Sequence, residues 1–223
     1  MTMIKERILR LLFPPKCVLC KKILKEEETD LCKTCRESQL AFSGSKIKLS
    51  FLAQWTGLWY YKENVRLSIL RYKFYGRRSY ADSYGRLLAM KLHREGWDDT
   101  DLLTWIPISR QRKRKRGYDQ VELIGISVAQ ALGMELVPTL RKVRNTKPQS
   151  AMGSAAHRRA NILGAYEVID PAIVRGKRIL LLDDIITTGA TASESARTLL
   201  TAGAREIRLA TLAVASFEKS TQR

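Results

Sequence analysis

Three sets of residues in this chain could do chemistry: four cysteines near the start, an aspartate pair with a hydroxyl-rich sequel near the end, and a run of cations between them. The cysteines come as Cys17-x2-Cys20 and Cys32-x2-Cys35, a spacing at which two tight knuckles face each other across a ribbon. Four thiolates so arranged suit a tetrahedral Zn²⁺. Two disulfides are the competing reading; a cytosolic chain, whose thiols stay reduced, favours the metal. Lys16, Lys21, Lys22 and Lys33 surround the knuckles, where they offset the negative charge of such a centre and could meet phosphates. The metal's role would be structural, since it lets a segment too short for a core of its own fold.

Asp183 and Asp184 follow an apolar run, residues 178–182, that has no polar alternation and so reads as a strand buried on both faces of a parallel sheet. Open α/β sheets bind their ligands at the carboxyl edge. Two adjacent carboxylates there can accept hydrogen bonds from a diol or help hold a hydrated Mg²⁺. Thr187, Thr188, Gly189, Ala190 and Thr191 come next, small and hydroxylated, and lead into a helical stretch over residues 191–200. Such a loop brings backbone N–H groups close to an anion at a helix N-terminus. Any strand-to-helix turn can carry Asp, Thr and Gly for capping alone; the whole string in this order is far more specific.

The third set is Ser109 followed by Arg110, Arg112, Lys113, Arg114, Lys115 and Arg116, with a single glutamine among the cations. A nuclear-localisation signal and a solvated loop are both available readings. Position argues for more, because a strand ending near Ser109 puts this loop on the same sheet edge as the acidic pair. The formal net charge of the 223-residue chain is +18. Residues 105–160 hold 12 Lys/Arg against 3 Asp/Glu, whereas residues 161–223 hold 8 against 7. The excess is placed rather than spread, which points to a polyanionic partner: nucleic acid, a phosphate-rich substrate, or both.

The elements that must position these groups follow from pattern. A 45% hydrophobic content over this length allows one full α/β domain and a small appendage. Alternating strands and helices over residues 101–223 predict a parallel sheet with right-handed crossovers and flanking helices. Residues 101–109 read as its first strand, 165–169 and 177–182 as further strands, and 205–214 as the strand that closes it, with 135–138 a short strand at best. Residues 117–132 supply a helix with Tyr118, Val121, Ile124, Val128 and Leu132 along one face and Gly133 as its stop. Upstream, residues 46–61 suggest a strand or two, and 63–72 and 80–94 read as helices. Between those helices Arg71, Lys73, Arg77 and Arg78 interleave with Tyr72, Phe74 and Tyr75, a pattern that either stacks bases and grips phosphates or is a half-buried helix end with solvated cations. Residues 3–13 form a short basic amphipathic helix that packs on its neighbour rather than on a membrane surface. Residues 141–161 are basic and rich in small side chains, as befits a hood closing over an anionic substrate; His157 within it reads as a solvated side chain. The chain thus divides into a helix and ribbon over residues 1–45, an aromatic and basic linking and hood region over 46–100, and a core over 101–223. No apolar run long enough to span a membrane and no signal peptide are legible, so the expected location is the cytosol.

The apolar run, the acidic pair, Ile185-Ile186 and Thr187-Thr188-Gly189-Ala190-Thr191 together resemble the phosphoribosyl pyrophosphate (PRPP) signature of type I phosphoribosyltransferases. Add the cysteine knuckles, Tyr61 with Ile69, Lys73 and Gly76, Ile106-Pro107-Ile108, Gly117-Tyr118-Asp119-Gln120, and Arg144, Thr146, Gln149, Arg158 and Asn161, and nearly the whole chain is similar to the ComF family of competence proteins. The resemblance implies that Asp183 and Asp184 meet the ribose hydroxyls of Mg²⁺-bound PRPP and that the Thr187 to Thr191 loop holds its 5′-phosphate. Ser109, Arg110, Arg112, Arg114 and Arg116 would then stand on the pyrophosphate side, and Arg144, Thr146, Gln149, Arg158 and Asn161 would belong to the hood. It further implies a cytoplasmic protein that handles incoming single-stranded DNA beside a DNA-translocating ATPase. Whether such a chain is a phosphoribosyltransferase or a non-catalytic DNA-binding adaptor on the same fold, docking the ATPase, stays open at this point, because fold does not fix function.

Overall fold

The computed structural model describes residues 13–38, 41–44, 49–97, 99–144 and 160–215. The basic amphipathic stretch before Phe13, and Thr146, Gln149, His157 and Arg158 of the hood, lie outside the described residues. Along the chain run α1 (Lys33–Arg36), β1 (Gln54–Tyr60), α2 (Glu63–Phe74), α3 (Tyr80–Arg94), β2 (Leu102–Trp105), α4 (Arg110–Arg116) and α5 (Gln120–Leu132). After them come β3 (Leu140–Lys142), β4 (Tyr166–Val168), α6 (Pro171–Val174), β5 (Arg178–Ile186), α7 (Ala190–Thr201) and β6 (Glu206–Val214). Among the described residues no helix is long and apolar enough to cross a membrane.

Among the described residues four strands pair in parallel in the order β1-β6-β5-β2. The unbroken apolar sequence of β5 serves both faces, as strand geometry requires. Leu180 and Leu182 enter one hydrophobic core, Ile179 and Leu181 the other. Helices α3 and α5 cover the first face and α7 the second. Helices α3 and α5 approach closely because Gly85 has no side chain: a Cβ there would stand 2.3 Å from Cβ of Ser127.

Several expected strands take other places. The sheet begins with β1 in residues 54–60 rather than with residues 101–109, of which only Leu102–Trp105 is strand, at an edge. Strand β6 does not close the sheet but lies inside it, between β1 and β5. Residues 165–169 yield β4, which leaves the parallel sheet to pair antiparallel with β3. The reason is in its pattern: Tyr166 is buried while Glu167 is exposed and bridges Arg141 at 2.9 Å, the two-faced habit of a half-solvated antiparallel ladder. Residues 135–138 contribute a single bridge, Leu136 to Leu103.

The cation run is a helix, α4, and not a loop. Ser109 caps its start by accepting from the Arg112 N–H at 3.3 Å, and Gly117, at φ 83°, ends it in the left-handed region. Lys113 pairs with Glu122 of α5 at 2.6 Å, which removes part of the like-charge repulsion.

The four-cysteine segment continues the first core. Val18, Leu19, Leu24 and Leu31 pack with Val65, Ile69 and Tyr72 of α2. Its outer side is tied by Arg86 of α3 to Asp30 at 2.5 Å.

Candidate functional site

Asp183 and Asp184 lie within β5, whose ladder runs on to Ile186, rather than beyond its end. The two-residue period of a strand therefore sends them to opposite faces. Asp184 points toward the α5 side, 6% exposed, and one of its oxygens receives both Lys73 Nζ and Gln120 Nε2 at 2.7 Å. Asp183 accepts from the Asp184 N–H at 2.8 Å. Burial, then the neighbouring Asp184 charge, pushes the Asp183 carboxyl up to about 8, with Lys73 and Lys142 pulling the other way. Lys142, on β3, stands 5.1 Å above the ring of Tyr166. Its ammonium is pushed down to about 8, first by burial and then by the Arg112 charge, against the pull of Asp183. One edge thus gathers two carboxyls and three cations drawn from four elements.

Beyond β5 the chain turns through Thr187, Thr188 and Gly189 into α7. Gly189 is needed on two grounds: its φ is 73°, and a Cβ would lie 2.4 Å from Cδ2 of Leu49. With glycine at this cap, no side chain of its own covers the first turn of the helix. Asp183, Ile185, Ile186, Thr187, Gly189, Ala190, Thr191 and Ala192 line one shallow, open depression. The expected loop and acidic residue therefore share one concavity, at a helix N-terminus where N–H groups and the helix dipole favour an anion.

Helix α4 divides the basic run between two environments. Arg112 and Arg116, four residues apart and so on one helix face, are half-buried; Arg110, Lys113, Arg114 and Lys115 are exposed. Arg116 donates to the Gln120 side-chain oxygen and lies 5.4 Å over Phe74. Of the five residues expected on the pyrophosphate side, Arg112 lies near Lys142 and Tyr166, Arg116 meets Gln120, the residue that also holds Asp184, Ser109 is the buried cap, and Arg110 and Arg114 face solvent. Arg144 is exposed and donates to the Leu163 carbonyl at 2.6 Å, while Asn161 is half-buried in the short helical stretch before Gly164.

Sequence reasoning did not assign Lys73, Gln120, Lys142 or Tyr166 to the site. The interleaved stretch around Lys73 reads as a base-stacking face or as a half-buried helix end with solvated cations; the structure has a half-buried helix end, with some of its cations engaged rather than solvated. Tyr72 is fully buried and donates to the Gln120 carbonyl at 2.7 Å, Lys73 is paired, and Arg78 sits 4.8 Å over Tyr118. Phe74 and Tyr75 stay exposed, at 65% and 74%. Asp119, the buried N-cap of α5, holds Gln120 in place by accepting from the Val121 and Ile108 N–H groups at 3.0 Å.

The second centre is the thiol cluster. The Sγ atoms of Cys17, Cys20, Cys32 and Cys35 all lie within 4.8 Å of one another, with Cys20 and Cys32 at 3.6 Å and no disulfide formed. Four Zn–S bonds of about 2.3 Å in a tetrahedron put the sulfurs about 3.8 Å apart, so the donor set and its size fit Zn²⁺. Burial and the Cys17 charge push the Cys35 thiol far up, so four thiolates here need a cation to stay together. All 4 cysteines of the chain are in this cluster, which makes it one centre.

With the geometry in hand, the comparisons with known proteins agree. The double zinc ribbon domain family matches residues 8–46, and the phosphoribosyl transferase domain family matches residues 123–222. Competence protein F of Haemophilus influenzae is 26% identical over 221 residues, which cover 87% of this chain and 94% of that protein. Competence protein ComFC of Streptococcus pneumoniae is 28% identical over 183 residues, 81% of this chain and 75% of the relative. DNA utilization protein YhgH of Salmonella typhimurium is 29% identical over 154 residues, 67% of this chain and 66%, just under two thirds, of that protein. The chain is a homologue of competence protein F, ComFC and YhgH, with the type I phosphoribosyltransferase fold and an N-terminal four-cysteine zinc ribbon.

Proposed function

We propose that this chain binds PRPP with Mg²⁺ at the carboxyl edge of its sheet, and that it does so while handling incoming single-stranded DNA during natural competence, in the cytoplasm. The observation that carries the reading is the shared concavity: one acidic carboxyl, a hydroxyl-lined turn and a helix N-terminus around a single depression, with Arg112 and Lys142 beside it. The 5′-phosphate meets the N–H groups and hydroxyls of Thr187 to Thr191, and the ribose diol meets Asp183. Mg²⁺, when bound, would be held with the help of Asp183 and would neutralise charge on the pyrophosphate. Asp183 fits that setting, because a carboxyl held neutral by burial ionises when a cation arrives. Arg112, Lys142 and Arg116 stabilise negative charge as pyrophosphate departs, and the Asp183 carboxylate steadies the positive ribose left behind. The names of the relatives, competence and DNA utilization proteins, support the DNA half of the reading. Titration calorimetry tests the first half: PRPP heat should require Mg²⁺ and should disappear in Asp183→Asn, and equal binding by that variant defeats the assignment.

The exposed side of α4 supports a second reading, a non-catalytic adaptor that grips DNA and docks a DNA-translocating ATPase through the ribbon. Arg110, Arg114 and Lys115 face solvent on this helix, and Tyr75 and most of Phe74, whose ring meets Arg116, are exposed close in sequence to the buried Tyr72. The two readings separate on product: an enzyme releases pyrophosphate when offered its acceptor, whereas an adaptor releases none and binds DNA with a steep salt dependence.

A further inference from the structure

Helix α2 reaches both of the chain's chemical centres. Near its middle, Ser68 donates to the carbonyl of Val18 and Arg71 to that of Leu19, the two residues enclosed between Cys17 and Cys20. At its end Tyr72 donates to the Gln120 carbonyl at 2.7 Å, and Lys73 pairs with Asp184 at 2.7 Å. Ser68 and Tyr72 lie one turn apart on the same buried face, along with Val65 and Ile69. The ring of Tyr72 meets those of Tyr84 and Tyr118 at 5.4 and 6.0 Å, so this face has little room to slide.

The consequence is a short, stiff path from metal to carboxylate. Without zinc the knuckle has no reason to hold its carbonyls where Ser68 and Arg71 need them. Half-buried Arg71 then loses its carbonyl, Ser68 keeps only the Tyr84 hydroxyl, and α2, stiff along its length, shifts as a unit. Asp184 is left as a buried charge short of its cation, the costliest outcome for such a pair. We infer that α2 couples zinc occupancy of the ribbon to the placement of Lys73 on Asp184, making Lys73 a positioning residue through which the knuckle shapes the ligand-binding edge. The functional meaning of the coupling rests on the PRPP reading; its existence does not.

Coupling is reciprocal, so disturbance at Asp184 must be felt at the metal. The test measures zinc affinity of the full-length, zinc-loaded protein by equilibrium competition with a colorimetric chelator. Lys73→Met and Asp184→Asn should bind zinc about 5-fold or more weakly than wild type, the low end of ordinary coupling between sites. Lys73→Arg, which keeps the charge, should stay near the wild-type affinity. Leu199→Ala, which opens the core on the opposite face of the sheet, controls for general destabilisation and should leave zinc affinity near wild type. Wild-type zinc affinity in Lys73→Met, or an equal loss in Leu199→Ala, overturns the inference. Zinc affinity that responds as stated while PRPP fails to bind removes the proposed ligand and leaves the coupling intact; Mg²⁺-dependent PRPP binding with unresponsive zinc does the reverse.

Discussion

In the ribbon the buried apolar side chains are Val18, Leu19, Leu24 and Leu31, whereas the strand β5 alone buries Ile179, Leu180, Leu181, Leu182 and Ile186. The ribbon borrows α2 to cover its apolar side and relies on the thiol cluster for its shape. The sheet has two cores of its own, one on each face. A short segment concentrates its stability in a few bonds, and a larger one spreads it over many contacts, each weak. Damage should therefore be abrupt and local in the ribbon but graded in the sheet.

The harshest test of that contrast is Cys32→Ser. Structural zinc is worth roughly 10–16 kcal/mol in isolated zinc-finger peptides, so losing one ligand should empty the site and unfold the ribbon. Elemental analysis should fall from one zinc per chain to well below half, and limited proteolysis should cut within residues 17–35. Survival of the ribbon with no metal would erase the distinction. Leu181→Ala probes the other side: it should lower the unfolding free energy by about 2–5 kcal/mol, read from denaturant melts, while zinc content holds.

A subtler effect is expected at Asp183. Its folded pKa is raised above the ordinary 3.8 to about 8, so its contribution to stability is present at low pH and lost as pH rises through that window. Asp183→Asn escapes this loss. Its melting temperature should exceed that of the wild type by a margin that widens from pH 6 to pH 8, and a constant margin would mean the carboxyl is ionised throughout. The smallest effect belongs to α4. Arg114→Ser, on the exposed side, should leave PRPP binding unchanged and flatten the log affinity against log salt slope for single-stranded DNA by roughly 0.7. Arg112→Ser should weaken PRPP at fixed Mg²⁺. Identical behaviour of the two arginines would show that the faces of this helix do not differ in function.

How much of this was legible in the sequence depended on range. The cysteine spacing, the apolar run of β5 and the turn through Gly189 are local patterns, and all three appear where expected. Helix α4 was hidden because a run of cations has no apolar period, although its stop and start signals, Ser109 and Gly117, stood in plain view. Strand β1 could not be placed from its residues, since Gln54 pairs with Arg208 and nothing nearby announces so distant a partner. Lys73 shows the same limit at the site. Its charge was visible, but its partner Asp184 becomes a neighbour only once α2, α5 and β5 have packed.

The position of β6 carries a consequence for how the molecule is made. Among the described residues it is the last strand along the chain, yet it lies between β1 and β5 and is the neighbour through which β1 joins the rest. During synthesis, until residues 206–214 emerge, β1 and β5 each present an open edge with no common partner, and the apolar residues bound for both cores wait uncovered. Sheet closure is thus a single late event that sets many long-range pairings at once, the topology that slows folding most. A nascent chain halted before Glu206 should behave as a chaperone client rather than as a smaller version of the same domain.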